Sequence, residues 1–558
     1  MAGPYTTHEV FNQPPPLEDV NLYTSDAALR ETVAREGGGE AAAALDAFGT
    51  IAGSAVAFER GRLANQHLPK LETHDRQGRR LDTVTYHPAY HALMRTSCAE
   101  GLHASIWVHR AGKKAAAAPA GAYVARAGAF YMAAQMEAGH CCPITMTSAA
   151  VPVLLQQPEL AKEWVPRIVP YRYDPRFLPA DEKAAVTFGM GMTEKQGGTD
   201  VRAGTTRAEP VGGGGPGGEY IITGHKWFMS APMSDAFLVL AQAPEGLTCF
   251  LMPRFLPDGS VNPLRFQRLK DKLGNRSNAS SEVEFHGCHA WAIGEEGRGV
   301  PSIIEMVTHT RLDCAVASAG LMRLALANAI HHAEHRSVFQ KKLVDQPLMQ
   351  QVLADLALDV EAATALSFRL ARAFDRSADG RANAWRRLMT PITKYWVCKV
   401  APPLVAEAME CLGGGGYVEE APLARLYREV PVNSIWEGSG NVMALDVLRV
   451  LQREPEAIET VMVELGQAAA ADPRLRRAHE RVESFLHEPK LLDQRGRTLV
   501  EALAVLAAGT ILKAHAPSAV ADAFIATRLG GEPRQTYGQG LERADVRAIV
   551  ERNSPNQD

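Results

Sequence analysis

Residues 191–203 read GMTEKQGGTDVRA and come directly after AVTFGM (185–190); this junction decides how the chain is read. AVTFGM is β-rich, and it leads into a turn rich in Gly and Thr. A strand running into such a turn presents backbone N–H groups and hydroxyls, which suits a phosphate-bearing or flavin ligand. It is not the dinucleotide-binding fingerprint, because Glu194 stands where the third glycine belongs and no helical pattern opens there. An ordinary β-turn is the competing reading. Downstream, YIITG (220–224), AFLVLAQ (236–242), LTCFLM (247–252) and SEVEF (281–285) carry the same texture, punctuated by Gly, Pro, Asn and Asp. On either side the pattern is helical, from about 120 to 165 and in 311–336, 346–376 and 382–412. Helices, a sheet region of roughly 100 residues and more helices make an α+β chain with segregated classes. A last, mostly helical segment comes after about residue 450, interrupted at Pro473, Pro489 and Pro517.

The chain has 558 residues, room for about three or four domains. Hydrophobic residues are 46% and charged residues 22%, a soluble globular balance. Fifty-nine Lys and Arg against 63 Asp and Glu leave a net charge of −4, which excludes a wholesale basic coat but not a local basic stripe. The apolar run 502–512 is too short to span a bilayer, which takes about 20 residues. No secretory signal is visible in MAGPYTTHEVFNQPPP, and the eight cysteines form no CxxC pair, so a reduced cytoplasm is the expected compartment. Residues 37–39, 115–118 and 212–218 read as loops or turns.

Two further clusters stand out. ECLGGGGYVEEAPLARLYRE (410–429) puts four glycines at a helix end, either as a C-cap or as a place where a ligand approaches backbone. SIWEGSGN (434–441) sets Glu437 beside Trp436 ahead of a small-residue turn. A carboxylate next to a large aromatic is partly desolvated, which raises its pKa and makes it a stronger general base. The alternative is a surface glutamate capping the next helix. His331, His332 and His335 lack HExxH placement and a separate third ligand, so no metal is expected. Cys141 and Cys142 read as packing residues, and no P-loop or GxSxG elbow is present.

In this order and spacing the three clusters resemble the acyl-CoA dehydrogenase family of flavoproteins. Gly191–Met192–Thr193–Glu194 with Gly197–Gly198–Thr199–Asp200 and Ala203 fits the first family signature. Glu410, Gly413–Gly414, Gly416–Tyr417, Glu420, Arg425 and Glu429 fit the second. DKLGNRS (271–277), Arg336-x-x-Phe339 and GEEGRG (294–299) agree. The flanks VFNQPPPLEDVNLYTSD, HPAYHALM (87–94), CPITMT (142–147) and PVNSIWEGSGN are similar to the alkylation-response branch, which also carries a C-terminal extension.

The resemblance implies a helical N-terminal domain (1–180), a central β-domain (181–290), a four-helix bundle (291–450) and a helical extension (451–558). It implies FAD between β-domain and bundle, an acyl-CoA substrate, a homotetramer and no membrane. Met190, Met192, Thr193, Gly198 and Thr199 should face the flavin ring and phosphates, with Phe228, Met229 and Ser230 beside the ring. Arg336, Phe339, Gln346, Glu410, Gly413 and Gly414 should hold the cofactor of a neighbouring subunit, and Ser439 and Asn441 meet its adenosine end. Glu437 should take the α-proton while the flavin takes the β-hydride. Arg311 should lie near the CoA nucleotide. Trp436 should line both cofactor and substrate, its bulk favouring short or branched acyl groups. The rival function is a protective protein that binds double-stranded DNA. The extension from Arg453 holds 14 Lys and Arg against 16 Asp and Glu, yet Arg474, Arg476, Arg477 and Arg481 cluster, the candidate contacts to duplex phosphates.

Overall fold

The computed structural model describes residues 5–111, 118–530 and 535–556; of the alanine run 115–118, only Ala118 lies among them. The N-terminal region is built from helices α1 (Ala27–Glu36), α2 (Ala42–Ala52), α3 (Ala55–Gln66), α4 (Pro88–Ala99), α5 (Ala122–Met136), α6 (Cys141–Leu154) and α7 (Pro158–Ile168). A two-stranded ribbon, β1 (Lys70–His74) and β2 (Arg80–Thr85), projects between α3 and α4.

The β-domain is a seven-stranded sheet of β3 (Phe188–Gly191), β4 (Arg207–Pro210), β5 (Glu219–Ser230), β6 (Ala236–Ala243), β7 (Gly246–Pro253), β8 (Leu264–Leu269) and β9 (Ser280–Ile293). Its order is β3-β6-β4-β5-β9-β7, with β8 on β9 and β6 closing back onto β7. The path closes because β9 is long enough to pair with β5, β7 and β8 along its length. Inward-facing residues, among them Tyr220, Ile222, Phe237, Phe250, Phe266 and Phe285, fill the interior. The expected boundary at 290 falls inside β9, which runs on to Ile293 before the chain turns into the bundle.

The bundle consists of α8 (Gly299–His335), α9 (Pro347–Asp375) and α10 (Gly380–Cys411), succeeded by α11 (Gly414–Tyr417), α12 (Pro422–Glu429) and α13 (Gly440–Arg453). A small ribbon, β10 (Ser337–Val338) with β11 (Lys341–Lys342), links α8 to α9. The expected boundary at 450 falls within α13. The extension of α14 (Pro455–Ala469), α15 (Pro473–Leu486), α16 (Leu492–His515), α17 (Ser518–Leu529) and α18 (Val546–Asn553) shares one continuous core with the bundle and N-terminal helices. Pro473 sits in the first turn of α15 and Pro517 caps α17; a missing N–H costs nothing where no intrahelical acceptor exists. The 37-residue α8 is apolar and long enough to cross a membrane, and its most apolar stretch is wholly enclosed by protein.

Charged groups are buried where they hold these layers together. Arg126 on α5 makes a bidentate pair with Asp313 on α8 at 2.7 Å, and Thr145 Oγ1 donates to the same carboxylate. Glu137, after α5, accepts from Ser277 in the β-domain and from Asn65 on α3.

Candidate active site

Glu437 lies in the loop between α12 and α13 with φ +57, and Gly438 after it has φ +107. Two successive left-handed residues reverse the chain sharply, a conformation an L-residue keeps only when its surroundings hold it. Three hydrogen bonds do so. Lys394 of α10, fully buried, donates to the carbonyls of Trp436 (2.9 Å) and Gly438 (2.5 Å). Arg311 of α8 donates from Nε to the Glu437 carbonyl at 3.0 Å. The Glu437 side chain is thereby aimed at α8, where Thr310 Oγ1 donates to Oε2 at 2.7 Å. Ser439, not Glu437, is the N-cap of α13, so the helix-capping alternative does not hold. Burial pushes the Glu437 pKa up, and the Thr310 hydroxyl and the Arg311 and Lys394 cations oppose that shift.

Arg311 requires a correction. It is buried, and its guanidinium is spent on the Glu437 carbonyl and on Asp446 at 2.6 Å, so it positions the loop rather than offering a free cation to a nucleotide. Trp436 is fixed by Nε1 donating to Asn433 at 3.0 Å. It packs on the same apolar cluster as Met190 and Met192.

On the β-domain side, Gly198 packs against Thr193. A Cβ at 198 would stand 2.3 Å from Thr193 Oγ1, so only glycine fits. Gly198 is half-exposed and Thr199 exposed, and among the described residues their N–H groups meet no protein acceptor. Glu194 does not replace a phosphate-binding glycine. It is buried and accepts from Thr205 N, Thr206 N and Lys226 Nζ, which hold its carboxyl well below the usual range. Phe228 is exposed and Ser230 half-buried, Ser230 sharing a 2.9 Å hydroxyl contact with Ser280. Met229 is fully buried in the sheet interior, and Ser281 donates to its carbonyl, so its side chain faces away from that surface. Lys272, within DKLGNRS, donates to Asn278 O at 2.6 Å and Ser280 Oγ at 3.1 Å; burial brings its pKa down to about 8.

The second expected set lies elsewhere. Arg336 and Phe339 come after the C-terminus of α8, Gln346 precedes α9, and Glu410, Gly413 and Gly414 mark the end of α10. Phe339 is 93% exposed, and Leu348 at the start of α9 and Tyr417 at the end of α11 are exposed as well. From Thr310 to Arg336 is 26 residues, about 39 Å of helix, so the two sets do not converge within one chain. Sequence reading missed that the N-terminal segment ties down this end. Asn12 exchanges 2.7 Å hydrogen bonds with Ser337, and Arg336 donates to the Asn12 carbonyl. A cleft of about 950 Å³ lies alongside, with Arg62, Arg276, Arg425 and Arg428 in its walls. Asn441 and Ser439 are exposed at the start of α13.

The arginine cluster of the extension divides. Arg474 pairs with Asp472 and Asp522, whereas Arg476, Arg477 and Arg481 are exposed on α15 and form no ion pair among the described residues. His331 contacts Pro15 O and Asn556, and among the described residues no group of three or more His, Cys, Asp or Glu could hold a metal.

Residues 12–175 match the adaptive response protein AidB N-terminal domain, 189–288 the acyl-CoA dehydrogenase middle domain, and 297–452 the acyl-CoA dehydrogenase C-terminal domain. The chain is 49% identical to putative acyl-CoA dehydrogenase AidB of Escherichia coli (strain K12) across 93% of its own length and 94% of the relative's. The chain belongs to the acyl-CoA dehydrogenase family. A second relative is acyl-CoA dehydrogenase family member 11 of Caenorhabditis elegans, 31% identical over 94% of this chain and 85% of the relative. The solved structure of Caenorhabditis elegans ACDH-11 with C11-CoA superposes with a TM-score of 0.81 at 29% identity, covering 93% of this chain and 92% of that one. The Bd2924 apo-form gives 0.81 at 27% identity over 91% and 100%. Family members bind FAD, and this chain's residues fit it. Free N–H groups and a hydroxyl at Gly198 and Thr199 suit an acceptor-rich ligand, and Met190, Met192 and Trp436 pack on one apolar cluster.

Proposed function

We propose that this protein is a FAD-dependent dehydrogenase that oxidises acyl-CoA thioesters between Cα and Cβ, with Glu437 as the base. The observation that carries this reading is a half-buried carboxylate of raised pKa, held by Thr310 on a loop fixed by Lys394 and Arg311, next to Trp436, which packs on the same apolar cluster as Met190 and Met192. FAD, when bound, accepts the hydride leaving the β-carbon. The chain's own work is to desolvate and aim the carboxylate. Glu437 takes the α-proton, Thr310 holds Oε2, and Lys394 and Arg311 fix the backbone on either side of it. Trp436, locked by Asn433, narrows the acyl end and supports short or branched substrates; the C11-CoA carried by ACDH-11 makes medium chains the necessary control. Anaerobic titration with short, branched and medium acyl-CoAs, monitoring flavin bleaching, tests the reading.

A homotetramer completes this proposal. The roughly 39 Å between the Glu437 end and the Arg336 end supports one FAD contacting two subunits, and the exposed Phe339, Leu348 and Tyr417 supply an apolar surface to cover. Dissociation should release flavin, which sedimentation read at a flavin wavelength detects.

A second reading rests on Arg476, Arg477 and Arg481, three exposed cations on α15 with no ion pair among the described residues. They support binding of duplex DNA through phosphates, independent of sequence and weakening steeply with salt. Replacing all three by Ala should lower duplex affinity and flatten its salt dependence without altering flavin reduction; unchanged binding would exclude this face.

A further inference from the structure

Arg336 and Phe339 belong to a hairpin too short to hold its own shape. β10 and β11 have two residues each, and the turn between them is Phe339–Gln340, with φ +50 and +65. Two successive left-handed residues make the tight turn that Asn and Gly favour, and a full side chain at both positions carries a steric penalty. A two-stranded ribbon is marginal even when its strands are longer. From the bundle the hairpin receives two hydrogen bonds. Leu343 N–H donates to the Arg336 carbonyl at 2.9 Å, and Gln346 Nε2 donates to the Val338 carbonyl at 3.2 Å.

The other support comes from the start of the chain, 325 residues before Ser337. The Asn12 side chain stands in for a neighbouring strand. Its Nδ2 donates to the Ser337 carbonyl and its Oδ1 accepts from the Ser337 N–H, both at 2.7 Å, so one amide pairs both backbone groups of that residue. Arg336 Nη1 donates to the Asn12 carbonyl at 2.7 Å, which directs a guanidinium that forms no ion pair among the described residues. Asn12 has φ +55, a conformation that Asn adopts more readily than most residues. Pro14, Pro15 and Pro16 come next, their φ fixed by the rings, and His331 Nε2 of α8 meets the Pro15 carbonyl at 2.9 Å. The strap is thereby pinned to the last turns of α8 on one side and to the hairpin on the other.

We propose that Asn12 is a positioning residue for the cofactor. By fixing Ser337 and Arg336 it sets the hairpin from which Arg336 and Phe339 reach FAD held at Gly198 and Thr199 of the next subunit. This rests on the reading, given above, that each FAD is shared between two subunits of a homotetramer. The N-terminal strap then controls flavin retention in a neighbour, although Asn12 itself touches no cofactor.

Dilution of the FAD-loaded protein, followed by the fluorescence of released flavin, tests this in wild type, Asn12→Gly, Arg336→Gln and the double variant. Glycine keeps the positive φ and removes only the amide. The expected result is FAD held at least about tenfold more weakly in each single variant, as for loss of a hydrogen bond or a charge that the ligand meets. The double variant should hold FAD no more weakly than Arg336→Gln alone, because Asn12 acts through Arg336; a residue that only stabilised the fold would give additive losses. Weakened FAD in Arg336→Gln with wild-type retention in Asn12→Gly would overturn the proposal and leave the shared-cofactor reading standing. Additive losses in the double variant would overturn it too. Wild-type retention in Arg336→Gln would remove the shared-cofactor reading, and the proposal with it.

Discussion

The hydroxyl of Thr310 donates a 2.7 Å hydrogen bond to Oε2 of Glu437, tying one turn of α8 to the loop that precedes α13. That bond favours the charged carboxylate, while burial favours the neutral acid and prevails. Proton abstraction needs the carboxylate, so turnover falls as pH drops through the raised pKa. Thr310→Val removes the donor and raises that pKa further, moving the acid limb of the kcat profile to higher pH; Thr310→Ser returns it. An unmoved limb in Thr310→Val would separate this hydroxyl from the base.

Lys394 holds the Glu437 loop from beneath. Lys394→Met leaves the carbonyls of Trp436 and Gly438 without a donor, at about 1–3 kcal/mol for each. The expected variant folds with a lowered melting temperature and loses turnover, because the left-handed pair at 437 and 438 is no longer held. Melting and turnover measured on one preparation check both effects.

The buried Arg126–Asp313 pair joins the N-terminal helices to the bundle. Arg126→Met leaves an uncompensated buried carboxylate, an expected loss of about 3–5 kcal/mol in chemical denaturation. Replacing both residues by apolar ones of similar size should recover much of it. A single variant as stable as wild type would mean that water reaches this junction.

The proposed function puts Trp436 at the acyl end. Trp436→Phe removes the bond to Asn433 and part of the ring, so kcat/KM for medium acyl chains should rise relative to short ones. An unchanged ratio across the substrate panel would place the acyl group elsewhere.

Periodicity and breakers made the layout legible. The helical stretches at 346–376 and 382–412 fall within a few residues of α9 and α10, because long apolar periodicity and a single turn leave little choice of boundary. AVTFGM marked β3, although pairing with β6 begins only at Phe188. The glycine run was less legible. Gly414–Tyr417 is helical despite poor intrinsic propensity, with Gly416 close enough to the Met409 carbonyl to exclude a side chain. Partners far apart in the chain left no trace in any local pattern. Lys394 beneath Gly438, Arg311 turned to Asp446, Lys226 on Glu194 and Asn12 on Ser337 join residues that only the fold brings together. Motif position alone puts Met229 beside the ring, whereas strand alternation turns its side chain into the sheet interior.

The central claim is that Glu437 is the base for a flavin-linked dehydrogenation, and anaerobic single-turnover reduction in wild type and Glu437→Gln tests it most directly. The amide keeps the size and can accept from Thr310 but cannot take the α-proton. The account predicts acyl-CoA-driven bleaching in wild type, at least about a hundredfold slower bleaching in Glu437→Gln, and equal flavin content in both. Equal bleaching rates in the two proteins would contradict it.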